Sequence, residues 1–248
     1  MTTINKKENI NFAICISTYK RKNGNTLFYL TRCLDSVLKQ TYKNWKLYVY
    51  GDKYEDENEF NKILSQIPQD KLVKHNMNIA LERQSLTGHK LWATGGINTM
   101  NTMRQQALDD GFEWICHLDD DDFWHHERLS TINQMLNIFP DTCFITNYST
   151  WNGTLLPSLK QYNIHYNNLP IHGGCCIHST FIMNKRFLKD NRMKNIYEYK
   201  ENEELEAGDW QTLENLKKYL INNPSEKILF IPSVLTFHPK EGESKEIK

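Results

Sequence analysis

The 248-residue chain is 39% hydrophobic and carries 30 basic and 30 acidic side chains, a formal net charge of zero. That length holds one large domain or two small ones, and a balanced charge gives no field that would draw the chain to nucleic acid or anionic lipid. No apolar run approaches the roughly 18 residues of a membrane span, and the polar start MTTINKKENINF lacks a signal peptide's apolar core. Six cysteines, at 15, 33, 116, 143, 175 and 176, are scattered without CxxC spacing. They read as reduced core thiols, and the whole as a soluble, cytoplasmic protein.

Phe12–Ile16 is a continuous apolar run with polar flanks, the pattern of a strand buried on both faces, and it delivers Ser17-Thr18-Tyr19-Lys20-Arg21 to its C-terminal end. Leu27, Leu30, Leu34, Val37 and Leu38 then form a helical stripe ending near Gln40. Lys46–Tyr50 is a second strand closing on Gly51-Asp52. Phe60, Ile63, Leu64 and Ile67 mark a second helix stopped by Pro68, and Lys71–Lys74 a short third strand. Leu81–Gly96 shows no clean period. Gly95-Gly96 precedes a helix over about Ile97–Asp110, which leads into a strand at Trp114–Leu118.

That strand ends on Asp119, Asp120, Asp121 and Asp122. Four adjacent carboxylates repel one another unless water or a cation neutralises them, so the block reads as a solvated acidic turn or as a metal site. Two features favour the metal. The block is framed by Leu118, Phe123 and Trp124, and the carboxyl ends of strands are where open α/β sheets bind ligands. An oxygen donor set there suits Mg²⁺ or Mn²⁺.

Beyond the block, Leu129, Ile132, Met135, Leu136 and Phe139 line a helix stopped by Pro140, and Cys143–Asn147 is a strand. Alternating strands and helices predict an α/β fold with a Rossmann-like, mostly parallel central sheet and helices on both faces. Tyr148–Gly174 is irregular, as functional or mobile segments are. Ser179–Met183 reads as a strand and Lys185–Lys194 as a short helix. The acidic run Glu198–Glu206 leads to Gly208-Asp209-Trp210 and a helix to about Ile221. Strands at Ile228–Ile231 and Val234–Phe237 precede a charged tail. With neither repeat nor linker, residues 1–248 read as one domain.

Four stretches, in order, together resemble a family 2 glycosyltransferase of the GT-A fold: Ser17–Arg21 after the first strand, Gly51-Asp52 after the second, Asn101–Asp122 as an asparagine-bearing helix, strand and DxD block, and Gly208-Asp209-Trp210. The resemblance spans about residues 10–238. It implies a nucleotide-binding part (about 10–122), an acceptor-binding part (about 123–238), a nucleotide-diphospho-sugar donor and an inverting, in-line displacement. Under it, Thr18 and Tyr19 line the base pocket with Tyr19 stacking, Asp52 bonds the base, and Arg21, Asn101 and Arg104 belong to the donor site. Asp119 touches the ribose side and Asp121 holds Mn²⁺ or Mg²⁺. Asp120 or Asp122 assists, with Asp120 assigned to the donor and Asp122 to the metal. Asp209 is the general base toward a glycan, lipid-linked or protein hydroxyl acceptor.

Some positions depart from the family. Met100 stands where an arginine is usual, so Arg83 or Arg104 would take its diphosphate contact. The Gln-x-x-Arg-Trp motif of polymer-making members and their membrane helices are missing, which implies a single sugar transfer. Tyr19 with Asp52 fits a pyrimidine, making UDP the default nucleotide. His238 follows the last strand as either a metal ligand or a structural histidine. His172 and His178 flank Gly173-Gly174-Cys175-Cys176, a glycine turn or part of the acceptor pocket. His125 and His126 begin a surface helix, and Trp124 and Trp210 are either sugar platforms or core. Tyr148–Gly174 and Glu198–Glu206 are expected to be mobile without ligand and to close over the donor. The rival readings are a sugar-nucleotide nucleotidyltransferase, disfavoured by a single glycine in Lys20–Asn25, and an inactive glycan- or nucleotide-binding domain.

Overall fold

The computed structural model describes residues 9–157, 165–166, 176–200 and 203–239. Its strands are β1 (Phe12–Thr18), β2 (Trp45–Gly51), β3 (Leu72–Asn76), β4 (Trp114–His117), β5 (Phe123–Trp124), β6 (Thr142–Trp151), β7 (Thr154–Leu156), β8 (His165–Tyr166), β9 (Ile182–Asn184) and β10 (Lys227–His238). The helices are α1 (Thr26–Leu38), α2 (Glu57–Leu64), α3 (Leu81–Ser85), α4 (Gly88–Thr94), α5 (Ile97–Asp109), α6 (Arg128–Ile138), α7 (Lys185–Leu188) and α8 (Gly208–Asn222). None of them is long and apolar enough to cross a membrane.

The strands form one sheet in the order β3-β2-β1-β4-β9-β6-β10-β5, with β7 on β6 and β8 on β10. Strand alternation divides the core. Phe12, Ile14 and Ile16 point to α1, α2 and α6, while Ala13 and Cys15 point to α5, α7 and α8. Both faces are therefore covered by helices, as predicted, and the α/β class holds. The sheet is partly antiparallel. β3-β2-β1-β4 is parallel throughout, but β9 returns antiparallel between β4 and β6, and β5 antiparallel to β10. A three-residue strand such as β9 carries too little sequence to announce its direction.

Several boundaries move. The helix expected over Lys185–Lys194 ends at Leu188, and the strand expected at Ser179–Met183 is a 3₁₀ turn (His178–Thr180) followed by β9. The two strands expected at 228–231 and 234–237 are one strand, β10, whose register shifts around Pro232 and Ser233; a proline has no N–H for the ladder. Leu81–Gly96 folds into α3 and α4. The irregular stretch opens with β6 running on to Trp151 and turning through Asn152 (φ 52°) and Gly153 (φ 83°) into β7. Residues 158–164 and 167–175, including His172, Gly173, Gly174 and Cys175, lie outside the described residues, as do 201–202 and the tail from 240. The expected closure over the donor therefore falls partly outside the described residues.

Gly96 opens α5 with φ +80°, and a Cβ there would come 3.0 Å from Ser17 Oγ at the end of β1. Left-handed backbone costs a non-glycine residue about 1–2 kcal/mol, before that contact is relieved. Gly96→Ala should therefore lower unfolding stability by about 1–2 kcal/mol or more, measured by urea denaturation. An unchanged midpoint would mean the α5 entry is softer than its geometry indicates.

Candidate active site

β1, β2 and β4 run parallel and end together, so Thr18, Asp52 and the aspartate block converge at their C-terminal edge. Thr18 is buried. Its Oγ1 donates to Asp120 Oδ2 at 2.5 Å, so the hydroxyl of Tyr54, 2.8 Å away, must be the donor to Thr18. Arg21 completes the arrangement with a fork, Nη1 to Asp120 Oδ2 and Nη2 to Asp120 Oδ1, both at 2.7 Å. Both oxygens of Asp120 are thus taken up within the protein, so Asp120 ties the turn after β4 to the turn after β1. Arg21, likewise, holds the turn instead of standing free for the donor.

The next carboxylates diverge in environment. Asp119 accepts from His117 Nε2 at 2.9 Å and from Ser179 Oγ at 3.2 Å. Burial alone would push its carboxyl up, but the hydrogen bond from His117 and the charge of His238 hold it well below the usual range. His117 reaches it because β4 alternation sends this side chain to the α5 face, where its ring stacks on His178 at 3.9 Å. Arg104 Nη2 lies 2.9 Å from His178 Nε2, and a guanidinium only donates, so His178 is the neutral Nδ1–H tautomer. Burial pushes His178 well below its usual pKa and Arg104 down to about 10. Arg104 thus positions His178, whose ring packs on the His117 ring that bonds Asp119.

Asp122 faces the other way, and Asp121 lies between, its Oδ2 3.7 Å from Arg21 Nη2. The antiparallel pairing of Phe237 with Phe123 brings His238 opposite Asp122, and His238 Nδ1 lies 2.6 Å from Asp122 Oδ1. Asp121, Asp122 and His238 each offer a ligand atom within 4.8 Å of the others. Asp122 Oδ2 is buried without a hydrogen-bond partner. Burial raises the Asp122 carboxyl to about 7, with Asp121 and Asp119 adding to it. Burial opposes protonation of His238, but the Asp122 hydrogen bond and the neighbouring carboxylates prevail and raise it to about 9. Two carboxylates and an imidazole, with an unpartnered buried oxygen, fit a small divalent cation of the Mn²⁺ or Mg²⁺ kind. Arg32 Nη2 steadies the turn by donating to the Asp121 carbonyl at 2.8 Å.

At the β2 end, Asp52 is buried and accepts from Arg83 Nε at 2.7 Å; Arg83 Nη2 also donates to the Asp52 carbonyl. The Arg83 guanidinium sits 5.0 Å from the Tyr19 ring centroid and that of Arg21 4.9 Å. Burial raises the Asp52 carboxyl, while Arg83 and a hydrogen bond from Thr99 oppose the rise. Asn101, expected at the donor, instead spends its amide on the backbone of Met193, donating to its carbonyl at 2.7 Å and accepting from its N–H at 3.3 Å.

Asp209 enters on the first turn of α8, where its Oδ1 accepts from the Trp210 N–H at 2.7 Å. Gln211 sets this helix end by donating to the Glu206 carbonyl and accepting from the Lys194 N–H. Burial raises the Asp209 carboxyl to about 6, and the negative charge of Asp119 adds to it. Trp124 is core, donating to the Ser179 carbonyl beneath the buried Arg128, whereas Trp210 is 46% exposed. A cavity of about 950 Å³ is a mostly apolar groove beside α1 and β5. None of Asp119–Asp122 or Asp209 lines it.

A family model for glycosyl transferase family 2 matches residues 13–192. The chain belongs to that family. A glycosyltransferase of Acanthamoeba polyphaga mimivirus, R139, described as uncharacterized, is 34% identical over 244 residues, covering 95% of this chain and 96% of that one. Among solved structures, TarS of S. aureus (residues 1–349) in complex with UDP-GlcNAc superposes with a TM-score of 0.66 at 18% identity, over 96% of this chain and 61% of that one. The mannosyltransferase PcManGT of Pyrobaculum calidifontis, in complex with GDP-Man and Mn²⁺, gives 0.56 at 12% identity, over 94% and 58%. The chain thus spans about three-fifths of these solved chains, and at such identities the likeness shows the GT-A fold alone.

The raised Asp209 carboxyl has a stability consequence. Its folded pKa of about 6 lies above the ordinary 3.8, so ionisation costs the folded state; the cost is absent at low pH and complete above pH 6. Asn at this position keeps the hydrogen bond from Trp210 and never ionises. Asp209→Asn should melt higher than the parent at about pH 8 and together with it at about pH 3.5, read by differential scanning calorimetry.

Proposed function

We propose that the chain is a metal-dependent, inverting glycosyltransferase that moves one sugar from a UDP-sugar to a hydroxyl acceptor. The observation that carries this reading is the pair of opposed carboxylate environments at one sheet edge. Asp121, Asp122 and His238 form a cation site, and Asp209, raised to about 6, approaches from a different element. A divalent cation held by the first group supplies the positive charge that a departing diphosphate needs. Asp209, ionised at neutral pH yet basic for a carboxylate, takes the proton of the acceptor hydroxyl. The acceptor oxygen then attacks the anomeric carbon as the bond to the diphosphate oxygen breaks on the opposite face, which inverts configuration.

Donor selection rests on Tyr19, Asp52 and Arg83. Asp52, buried at the end of β2, accepts a base N–H, and the adjacent guanidinium donates to a neighbouring carbonyl. An N–H beside a C=O is the edge of uracil and thymine, and of guanine; cytosine and adenine present the reverse. Residues 10–122 thus serve the nucleotide and 123–238 the acceptor, within one domain acting in the cytoplasm.

Isothermal titration with UDP, GDP, dTDP and CDP, with and without Mn²⁺, tests the reading. UDP should bind only with Mn²⁺ and CDP should fail. Asp121→Ala should lose the Mn²⁺-dependent binding while keeping its fold, and parent-like binding by this variant would remove the metal assignment. Because Mn²⁺ must displace the His238 proton, its affinity should rise between about pH 7 and 9 and lose that slope in His238→Gln. Asp209→Asn should keep donor binding while transfer falls about 10²–10⁴-fold; full activity would place the base elsewhere.

A further inference from the structure

Trp210 is not required by the packing of its helix. Taking about 100° per residue, the buried positions of α8, namely Gly208, Gln211, Thr212, Leu213 and Leu216, gather on one side. Asp209 falls within that stripe and Trp210 well off it. The indole is 46% exposed, a large apolar surface left in water beside the most basic carboxylate of the acceptor side. The two residues are also locked together, since the N–H that fixes Asp209 Oδ1 at 2.7 Å belongs to Trp210. Side chains in a helix lean toward its N-terminus, so an indole in the first turn overhangs the end from which Asp209 works.

The approach to this corner is acidic. Glu203, Glu204 and Glu206 are exposed on the segment that Gln211 ties to α8. Lys194 is engaged by Glu203 at 2.5 Å and Lys200 acts on the same carboxylate, so three carboxylates stand against two lysines and the balance stays acidic. Carboxylates accept from sugar hydroxyls and repel phosphate, and an aromatic face suits the C–H face of a sugar ring.

We propose that Trp210 is the acceptor platform and that the acceptor is a neutral sugar, its ring on the indole and its nucleophilic hydroxyl at Asp209. The proposal rests on the glycosyltransferase reading above and names its second substrate. It separates a glycan acceptor from the two alternatives, a phosphate-bearing lipid carrier, which the acidic approach repels, and a peptide hydroxyl, which has no ring face to stack.

Saturation-transfer NMR on the full chain tests it, with methyl glycosides of glucose, galactose, mannose and N-acetylglucosamine as neutral probes. Glucose 6-phosphate, glycerol 3-phosphate and a Ser/Thr peptide serve as comparators, each with and without UDP and Mn²⁺. At least one neutral glycoside should receive saturation on its ring C–H protons. Trp210→Ala should weaken it about tenfold, the usual scale for truncating an aromatic anchor, while Trp210→Phe keeps most of it and Asp209→Asn leaves it in place. Thermal melts of each variant separate binding loss from unfolding. Preferred binding of a phosphate or the peptide, an unaffected Trp210→Ala, or no glycoside binding at millimolar concentration would each overturn the proposal. UDP and Mn²⁺ binding without any glycoside binding sinks this inference alone, whereas absence of UDP binding sinks the donor reading.

Discussion

The ion pair between Arg21 and Asp120 is the interaction on which the site depends. It is buried, bidentate and bonded as well by Thr18. It joins the end of β1 to the end of β4, the two strands whose turns carry the donor-side residues. Buried pairs add little net stability over an apolar substitute, but losing one partner strands a buried charge at about 3–5 kcal/mol. What the pair contributes is registry. With Asp120 tied inward, Asp119 turns toward His117 and Ser179, while Asp122 turns toward His238 and Asp121 lies between.

Much of this was legible in the sequence and some was not, for identifiable reasons. The parallel half announces itself because its strands are apolar on both faces and alternate with amphipathic helices, as in Phe12–Ile16 and the stripe from Leu27. Even there, Leu27 is 58% exposed, and the buried stripe of α1 runs through Thr26, Tyr29, Leu30, Cys33 and Leu34. The aspartate block was visible as charge in an apolar frame, and Asp209 through the likeness of Gly208-Asp209-Trp210 to a family motif. The division of labour within the block was not, because it is decided by partners such as Arg21, His117 and Ser179 at other positions of the chain. Asn101 was named through the family resemblance, and its amide is bonded to the backbone of Met193, a partner no local pattern announces. Arg128, fully buried over Trp124, gave no signal at all, since its pattern is that of any charged helix start.

Some of the unpartnered buried polar atoms among the described residues lie near the strand ends, Glu82 Oε2, His117 Nδ1 and Asp122 Oδ2 among them. Each such group costs about 1–3 kcal/mol, so their company at one edge is expensive. Glu82 already spends its other oxygen on the Asn98 N–H at the start of α5. A core free of these groups would be more stable. Their cost is what a site that binds polar ligands carries before the ligand arrives.

The opposite shifts of Asp119 and Asp209 follow from the same edge. Both carboxylates lose water, and each feels the other's charge, yet they move in contrary directions. Asp119 accepts side-chain hydrogen bonds from His117 and Ser179 and lies near His238, so its charged form is stabilised in place. Asp209 has the Trp210 N–H and its own first-turn backbone, and no cation among the causes of its shift. Environments that drive two neighbouring carboxylates apart are how one surface sustains a fixed anion and a proton acceptor together. The sheet achieves it by topology: Asp119 rides at the end of β4 with its histidines behind it, while Asp209 arrives on α8, about ninety residues later in the chain and without an escort of positive charge.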